Sequence, residues 1–542
     1  MRLAGDLFFL LPAALVGGLL LLATAVPRFA AEPGLHVPLY AAAAVFALWH
    51  GFLALGHRTG RRPLSVGFLA RPQHYVQIAC HLCIYGYWGT AWPEVAAHAP
   101  HIASQIAFLY LLDMGFALTR HRAFTFTFGP FPIVFSTNLF LWFTDANYGW
   151  QYAMLLVGYL GKTFLKWPRR GAAEDGPTGG HIFNPSALGL ALLSLVLIAT
   201  QRTDLTWGHH IASMMERPPQ PHLWIFLVGL VVQLAFAPVL ITMSAALTTV
   251  LGGFAVHALT DRWLFVDTAI PVNVYLGMTL LVTDPSTSPR TAWGKVLFGA
   301  SYGLSVLGLY PALEALGAAQ NPAAPIPLAY FDKLLQVPLL NLLVPLFDRA
   351  GRRLTRVSAW PSSWNDRRRN ALHVALWAGV FAAIHPWLSD HPGRDPALWV
   401  RLCETRGGAF CREVATGHDL ACFEQDALPR CAQLAGMYRR GDRIERNDAL
   451  AGKLYARACE RGFAPGCTGL AEMLLAGGQG VPQNPGQALA LFERGCRGDD
   501  AAACLGLATL LSDGVSLPPD HQAARGARAR ACALGLAEAC RP

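Results

Sequence analysis

The chain has 542 residues, of which 53% are hydrophobic and only 14% charged, with a mean hydropathy of +0.34 and a formal net charge of +9. Soluble domains carry about 25% charged residues, so this balance excludes an ordinary soluble enzyme and makes lipid the expected main solvent. The positive charge does not point to nucleic acid, because the Arg and Lys residues fall mostly in short loops between apolar segments, where membrane topology accounts for them.

Crossing a hydrocarbon core of about 30 Å takes roughly 17 to 25 mainly apolar residues, and about thirteen such segments are expected. They run near Leu7–Val26, Val37–Leu55, Tyr75–Trp92, Ile102–Leu118, Phe124–Phe143, Tyr148–Leu165, Ile182–Thr200, Leu223–Ala237, Val239–Leu259, Thr268–Val282, Val296–Leu313, Leu334–Phe347 and Leu372–Leu388. The first is read as a retained anchor: its apolar run is long for a signal peptide, and only Arg2 stands beside Asp6 ahead of it. Basic loops follow the even-numbered segments, at Arg58 to Arg71, Arg120 and Arg122, Lys162 to Arg170, Arg290 and Lys295, and Arg349 to Arg369. Positive loops stay inside, so the expected location is a bacterial inner membrane, with a cytoplasmic N-terminus and residues beyond Asp390 in the periplasm.

From Asp390 onward the composition shifts to Arg, Glu, Asp, Gly and Cys, and ten of the twelve cysteines lie there. Crowding of that kind implies a disulfide framework in an oxidising compartment. Cys422 and Cys431, Cys459 and Cys467, Cys496 and Cys504, and Cys532 and Cys540 recur as pairs at steps of about 36 residues, the sign of a solenoid. Ala451–Gly466, AGKLYARACERGFAPG, and Ala488–Arg497, ALALFERGCR, read as helix-turn-helix units in which a bond across the turn closes a small loop. A spacing of eight is wider than the two to four common in zinc sites. The words LAEMLLAGGQGVPQNPGQALALFERGC resemble cysteine-rich Sel1-like repeats, relatives of TPR repeats, over Leu402–Cys540. That resemblance implies a concave protein-binding surface, and Cys403 and Cys411 then belong to a degenerate first unit; the alternative is a stabilising appendage.

Two stretches interrupt the apolar segments with polar and turn residues: Gly179–Gly189, GGHIFNPSALG, and Tyr275–Lys295, YLGMTLLVTDPSTSPRTAWGK. Asn184-Pro185 and Asp284-Pro285 are forced out of helical geometry by the proline, which builds either a buried polar site or a pair of interfacial helix caps. Together with Phe128–Gly161 and LLNLLVPLFDR at Leu339–Arg349, these stretches resemble the NqrB/RnfD family of membrane subunits over Arg122–Arg353. The resemblance implies an inverted-repeat helical core in an electron-transport subunit that binds flavin or quinone and is coupled to ion translocation. Asn184, Pro185, Thr279, Asp284 and Pro285 would contact the cofactor. Flavin-binding relatives attach FMN to a threonine of an S-G/Q-A-T-type motif. The loop Gln201–His222 has no such motif, so noncovalent FMN or riboflavin is expected, with Thr200, Thr203 and Thr206 the threonines in question. ARPQHYVQIA at Ala70–Ala79 looks closer to a divergent branch that includes membrane proteins of enediyne clusters.

Cys80 and Cys83 form a C-x-x-C pair read as packing rather than redox or metal-binding, and His181, His209, His210 and His257 as interfacial or core groups. Asp113, inside an apolar segment, is costly to bury and suggestive of function. The expected fold is all-α, with N-terminal transmembrane helices at 1–121, an NqrB/RnfD-like core at 122–353, a basic linker and last helix at 354–390, and an extracytoplasmic solenoid at 402–542. No hydrolase, P-loop, dinucleotide or metal signature is present, so any enzymatic role is that of a redox subunit. The expected partners are the bilayer and other membrane or periplasmic subunits, and the competing reading is a transporter or scaffold without redox work.

Overall fold

The computed structural model describes residues 6–541 apart from 62, 70, 169–179, 261–262, 266–267, 321–327, 358–365, 390–402, most of 404–426, 442–445, 479 and 514–517. The chain divides into two compact units, Met1–His391 and Pro392–Pro542.

Prolines open many helices of the first unit, at Pro33–Arg58, Pro72–Gly89, Pro185–Ala199 and Pro221–Phe236, where the missing N–H costs nothing. Among the described residues, six helices are long and apolar enough to cross a membrane: Pro33–Arg58, Glu94–His121, Val239–Thr260, Ala292–Gln320, Ala329–Thr355 and Arg367–Ser389. Other apolar helices are shorter. Pro185–Ala199, with 15 residues, rises only about 22 Å. The expected thirteen full-length spans therefore become six long candidates beside several short or broken ones. The outside of the unit is apolar as well as its core: Leu48, Phe52 and Leu259 are 77%, 73% and 86% exposed.

Glycines let these helices approach closely. Gly299 and Gly303 set the Ala292–Gln320 helix against the carbonyls of Ile241 and Ala245 on Val239–Thr260, and Gly158 and Gly189 do the same between Gly149–Phe164 and Pro185–Ala199. A side chain at any of these four positions would collide with backbone, so the close approach of these helix pairs depends on glycine.

The segment Phe124–Phe143 is not a spanning helix. Ala123–Phe126 pairs in parallel with Ser65–Phe68, so the unit is not purely helical. The alternating AFTF suits a pleated strand, and the three intervening helices, Pro72–Gly89, Glu94–Ala97 and Ala99–His121, supply the crossover a parallel pair needs. Pro130 then starts a helix of 9 residues that ends at Asn138.

In the second unit six helices of 13 residues follow one another: Leu428–Arg440, Asp448–Glu460, Ala464–Ala476, Pro485–Arg497, Ala501–Asp513 and His521–Ala533. The same devices return at each step. Asn447, Asn484 and Asp520 cap alternate helices, one per repeat, by accepting backbone N–H groups of Leu450, Gln487 and Ala523 at 2.9, 3.0 and 3.0 Å. Gly462, Asp499 and Gly535 hold the left-handed turn at φ of 94°, 63° and 93°. Tyr455 packs on Gly469 and Phe492 on Gly506, with ring atoms where a side chain would begin.

Candidate functional site

The two breaks of the first unit meet. Asn184 caps the Pro185–Ala199 helix, its Oδ1 accepting from Ala187 N at 3.1 Å, while its Nδ2 donates to the Leu281 carbonyl at 3.0 Å. That carbonyl ends Gly277–Leu281, a π-helical turn continuing the helix Val272–Leu276; such bulges free backbone groups and recur at functional sites. Asn341 ties the junction from a third helix, its Oδ1 accepting from Asn184 N at 3.1 Å and its Nδ2 donating to Thr287 O at 3.0 Å. The sequence words FNP, TDPSTSP and LLNLL therefore come together through direct hydrogen bonds.

At the mouth of this junction Asp284 Oδ2 lies 3.6 Å from His181 Nε2. Ser286 N donates to its Oδ1 at 3.0 Å and the Thr287 hydroxyl to its Oδ2 at 3.2 Å. Burial alone would raise the Asp284 carboxyl, but His181, Ser286 and Thr287 together hold it below the usual carboxylate range. Thr279 is buried and spends its hydroxyl on the Tyr275 carbonyl at 2.8 Å. Pro285 is exposed, whereas Pro185 is buried. The polar atoms of Asn184 and Thr279 are thus committed to backbone, so a flavin at this place would have to take its partners from caps that already hold the helices.

Two clefts lie elsewhere in this unit. One is an aromatic slot lined by Tyr87, Trp88, Trp224, Val272 and Leu276, among others, with Tyr87 and Trp224 stacked at 4.9 Å. It adjoins the helical turn that leads into the π-bulge. The other is lined by Arg28, Trp92, Glu94, His98, Trp142 and Asp145 among its residues. Here Trp92, Trp142, His98 and His101 form a stack with successive ring separations of 5.1, 3.9 and 4.6 Å. His98 Nε2 meets Asn138 Oδ1 at 3.0 Å, and Asn138 also exchanges hydrogen bonds with Gln105. Arg28 grips Asp145 at 2.6 and 3.1 Å, and His101 approaches the same carboxylate at 3.4 Å. Burial would raise Asp145, but His101 and Arg28 outweigh it and hold it at about 2. This cluster was missed from sequence, because its members are single residues scattered over several segments; Trp and His recurring around the ends of the third and fifth apolar segments were the available signal.

The remaining candidates are mostly occupied. Tyr159 Oη donates to Asp113 Oδ1 at 3.0 Å. Cys80 is buried with Sγ 3.7 Å from Val228 O, and Cys83 is exposed; both are free thiols. The His257 ring stacks on Trp263 at 3.9 Å. The hydroxyls of Thr200 and Thr206 are bonded to their own turns, at Val196 O and Thr203 O. The side chains of His209 and His210 lie outside the described residues.

In the second unit the ten tail cysteines form five disulfides, Cys403–Cys411, Cys422–Cys431, Cys459–Cys467, Cys496–Cys504 and Cys532–Cys540, each joining Cα atoms 4.5–4.8 Å apart. Most of the first unit of the repeat, 402–426, lies outside the described residues apart from such points. The Sel1 repeat family matches at residues 431–463, 464–500 and 501–526, so this part of the chain is built of Sel1 repeats. Among solved structures, a Sel1 repeat protein from Oxalobacter formigenes is 19% identical with a TM-score of 0.22, over 27% of this chain and 55% of its own. The protein c5321, a protective antigen of uropathogenic Escherichia coli strains displaying an SLR fold, is 20% identical with a TM-score of 0.23, over 49% of this chain and 54% of its own. The chain thus spans about half the length of either. A search of curated proteins finds no match to it.

Proposed function

We propose that the first unit is a membrane-embedded helical domain of a bacterial inner membrane that presents the Sel1 solenoid to a protein partner in the periplasm. The observation that carries this reading is the conjunction of a unit whose outer surface exposes large apolar side chains, Leu48, Phe52 and Leu259 among them, with a unit stapled by five disulfides. Exposed apolar surface on that scale needs lipid or protein as its solvent, and disulfides persist only on the oxidising side. Solenoid repeats offer an extended face to protein ligands. The test is photo-crosslinking in intact cells from exposed positions on the helices of residues 428–533. A discrete adduct that forms from adjacent positions on one face of these helices and not from their other faces supports the reading. Tail cysteines labelled as free thiols from the cytosolic side would sink it.

A second reading adds redox work, as in the NqrB/RnfD-like subunits: an electron-transfer subunit with a noncovalent flavin or a quinone, coupled to ion movement. What favours it is the aromatic slot of Tyr87, Trp88 and Trp224 beside the π-bulge, whose apolar rings offer stacking surfaces to a planar ligand. A flavin or quinone bound there would supply the electron chemistry, and the residues would hold its ring and exclude water. Absorbance and mass spectra of the detergent-purified full-length chain decide it: bound flavin or quinone supports the redox role, and a preparation free of both, unable to bind added quinone, removes it.

A further inference from the structure

Past the π-bulge from Asn184 lies a buried ion pair that no motif announced. Lys333 is 0% and Asp332 2% exposed, with Nζ and Oδ1 4.0 Å apart. Lys333 Nζ sits over the Tyr330 ring at 3.6 Å, and among the described residues it makes no hydrogen bond. The Tyr330 hydroxyl and the Gln336 side chain are also buried without a hydrogen-bond partner among those residues. A pair held at this distance, with the ammonium otherwise unsatisfied, is a poor device for stability, because the lost hydration of two charges exceeds what one loose contact returns. Ionisable groups retained among apolar helices more often serve transport or proton movement.

The surroundings connect this pair to the junction described above. Tyr302 Oη donates to the Lys333 carbonyl at 3.2 Å and lies 2.8 Å from where a side chain on Gly277 would begin, so the pair abuts the first residue of the π-bulge. Along the bulge Thr279 Oγ1 donates to Tyr275 O at 2.8 Å, Thr242 Oγ1 to Met278 O at 3.1 Å and Thr283 Oγ1 to Thr279 O at 2.6 Å. At the far end stand Asn184 on the Leu281 carbonyl and then Asp284 with His181. The other titratable groups facing the pair are Tyr302 and Tyr330, with Glu216 acting on Lys333 and Glu314 on Asp332.

We propose that Asp332 and Lys333 are a proton-exchanging pair at one end of a polar thread that follows the Gly277–Leu281 bulge to Asp284 and His181. A lysine rotamer change closes the gap. An N–H bond of the ammonium then breaks with its electrons left on nitrogen, and an O–H bond forms on the Asp332 carboxylate, so the pair stays neutral overall. A second proton taken by the amine and release of the carboxyl proton complete one transfer, and no oxidant or reductant is consumed. This rests on the reading of these helices as membrane-embedded, and not on a bound flavin or quinone.

The test is infrared difference spectroscopy of the full-length chain in lipid nanodiscs, stepped between about pH 5 and 9, the range in which a coupled carboxyl and amine of shifted affinity exchange protons. The expected result is a band of a protonated carboxyl in a dry environment that rises as pH falls, vanishes in Asp332→Asn, returns displaced in Asp332→Glu, and moves its midpoint by about one pH unit or more in Lys333→Met. Glu493→Gln, at an exposed position of the second unit, leaves it in place. Identical spectra from the wild type and Asp332→Asn overturn the proposal. A wild-type chain carrying carbon-13 aspartate that shows no titrating buried carboxyl overturns it without any variant. Absence of flavin and quinone from the same sample leaves this outcome untouched, so the two readings fail separately.

Discussion

In the solenoid the same few contacts recur at every step, Tyr455 on Gly469 and Phe492 on Gly506, Asn447 and Asn484 as caps, and one disulfide per turn, whereas among the described residues of the apolar unit the polar junctions are each built from different residues. Asn341 bridging Asn184 and Thr287 has no second copy of itself, and neither has the Trp92–Trp142–His98 stack. The difference teaches where damage stays local. A repeat shares its loss with its neighbours only, while a unique junction joins helices far apart in sequence.

Disulfide removal is the sharpest way to break the comparison. Reducing Cys459–Cys467 by a double change to Ser costs about 2–3 kcal/mol for so short a loop, so a urea titration followed by proteolysis should show residues 428–540 cleaved at lower urea while 6–389 keep their resistance. Equal loss in both regions would deny their independence. Overpacking comes next. Gly506→Leu drives a side chain into the Phe492 ring and costs about 1–3 kcal/mol, with cleavage centred on the Ala464–Asp513 repeats. Asn184→Ala removes a cap and orphans the Leu281 carbonyl, about 1–2 kcal/mol; a lowered midpoint for the whole first unit is the expected readout, since the junction holds three helices. Asn484→Ala removes a cap alone, and about 1 kcal/mol or less should be lost, confined to its own repeat.

The last effect is electrostatic and is confined to acid. Asp145 is depressed in the folded chain to about 2, against about 3.9 when unfolded, so its contribution is complete above the unfolded value and drains away as pH falls from there toward 2. Tryptophan fluorescence of the Trp92–Trp142 stack should change across that window, and Arg28→Met should flatten the change. A stack indifferent to pH in both proteins would mean that Asp145 does not hold it.

Much of the solenoid was legible because its physics is local. Cysteine spacing, Asn447 and Asn484 before their helices and Gly462 after one are decided within a dozen residues, and repetition multiplies the signal. The helices of the apolar unit were legible for the same reason, as runs of apolar residues. Phe124–Phe143 misled because an apolar run does not say whether its backbone pairs with itself or with Ser65–Phe68. Asn184 and Asp284 stood out as residues before proline, with capping one of the two readings, yet nothing local said that Asn184 would also bond to Leu281. Asp332 and Lys333 passed unnoticed because two adjacent opposite charges look like a solvated turn until burial is known.

The amino-acid sequence alone determined the break in composition near Asp390, the repeat period and the cysteine register, since these follow from apolar runs, turn residues and spacings acting over short distances. Only the tertiary structure decided which breaks meet, that a π-bulge lies between them, and that Lys333 is enclosed beside Tyr330 and Tyr302. Such features depend on groups separated by tens to hundreds of residues, and their energies arise from the exclusion of water, which no stretch of sequence can report before the chain has closed around it.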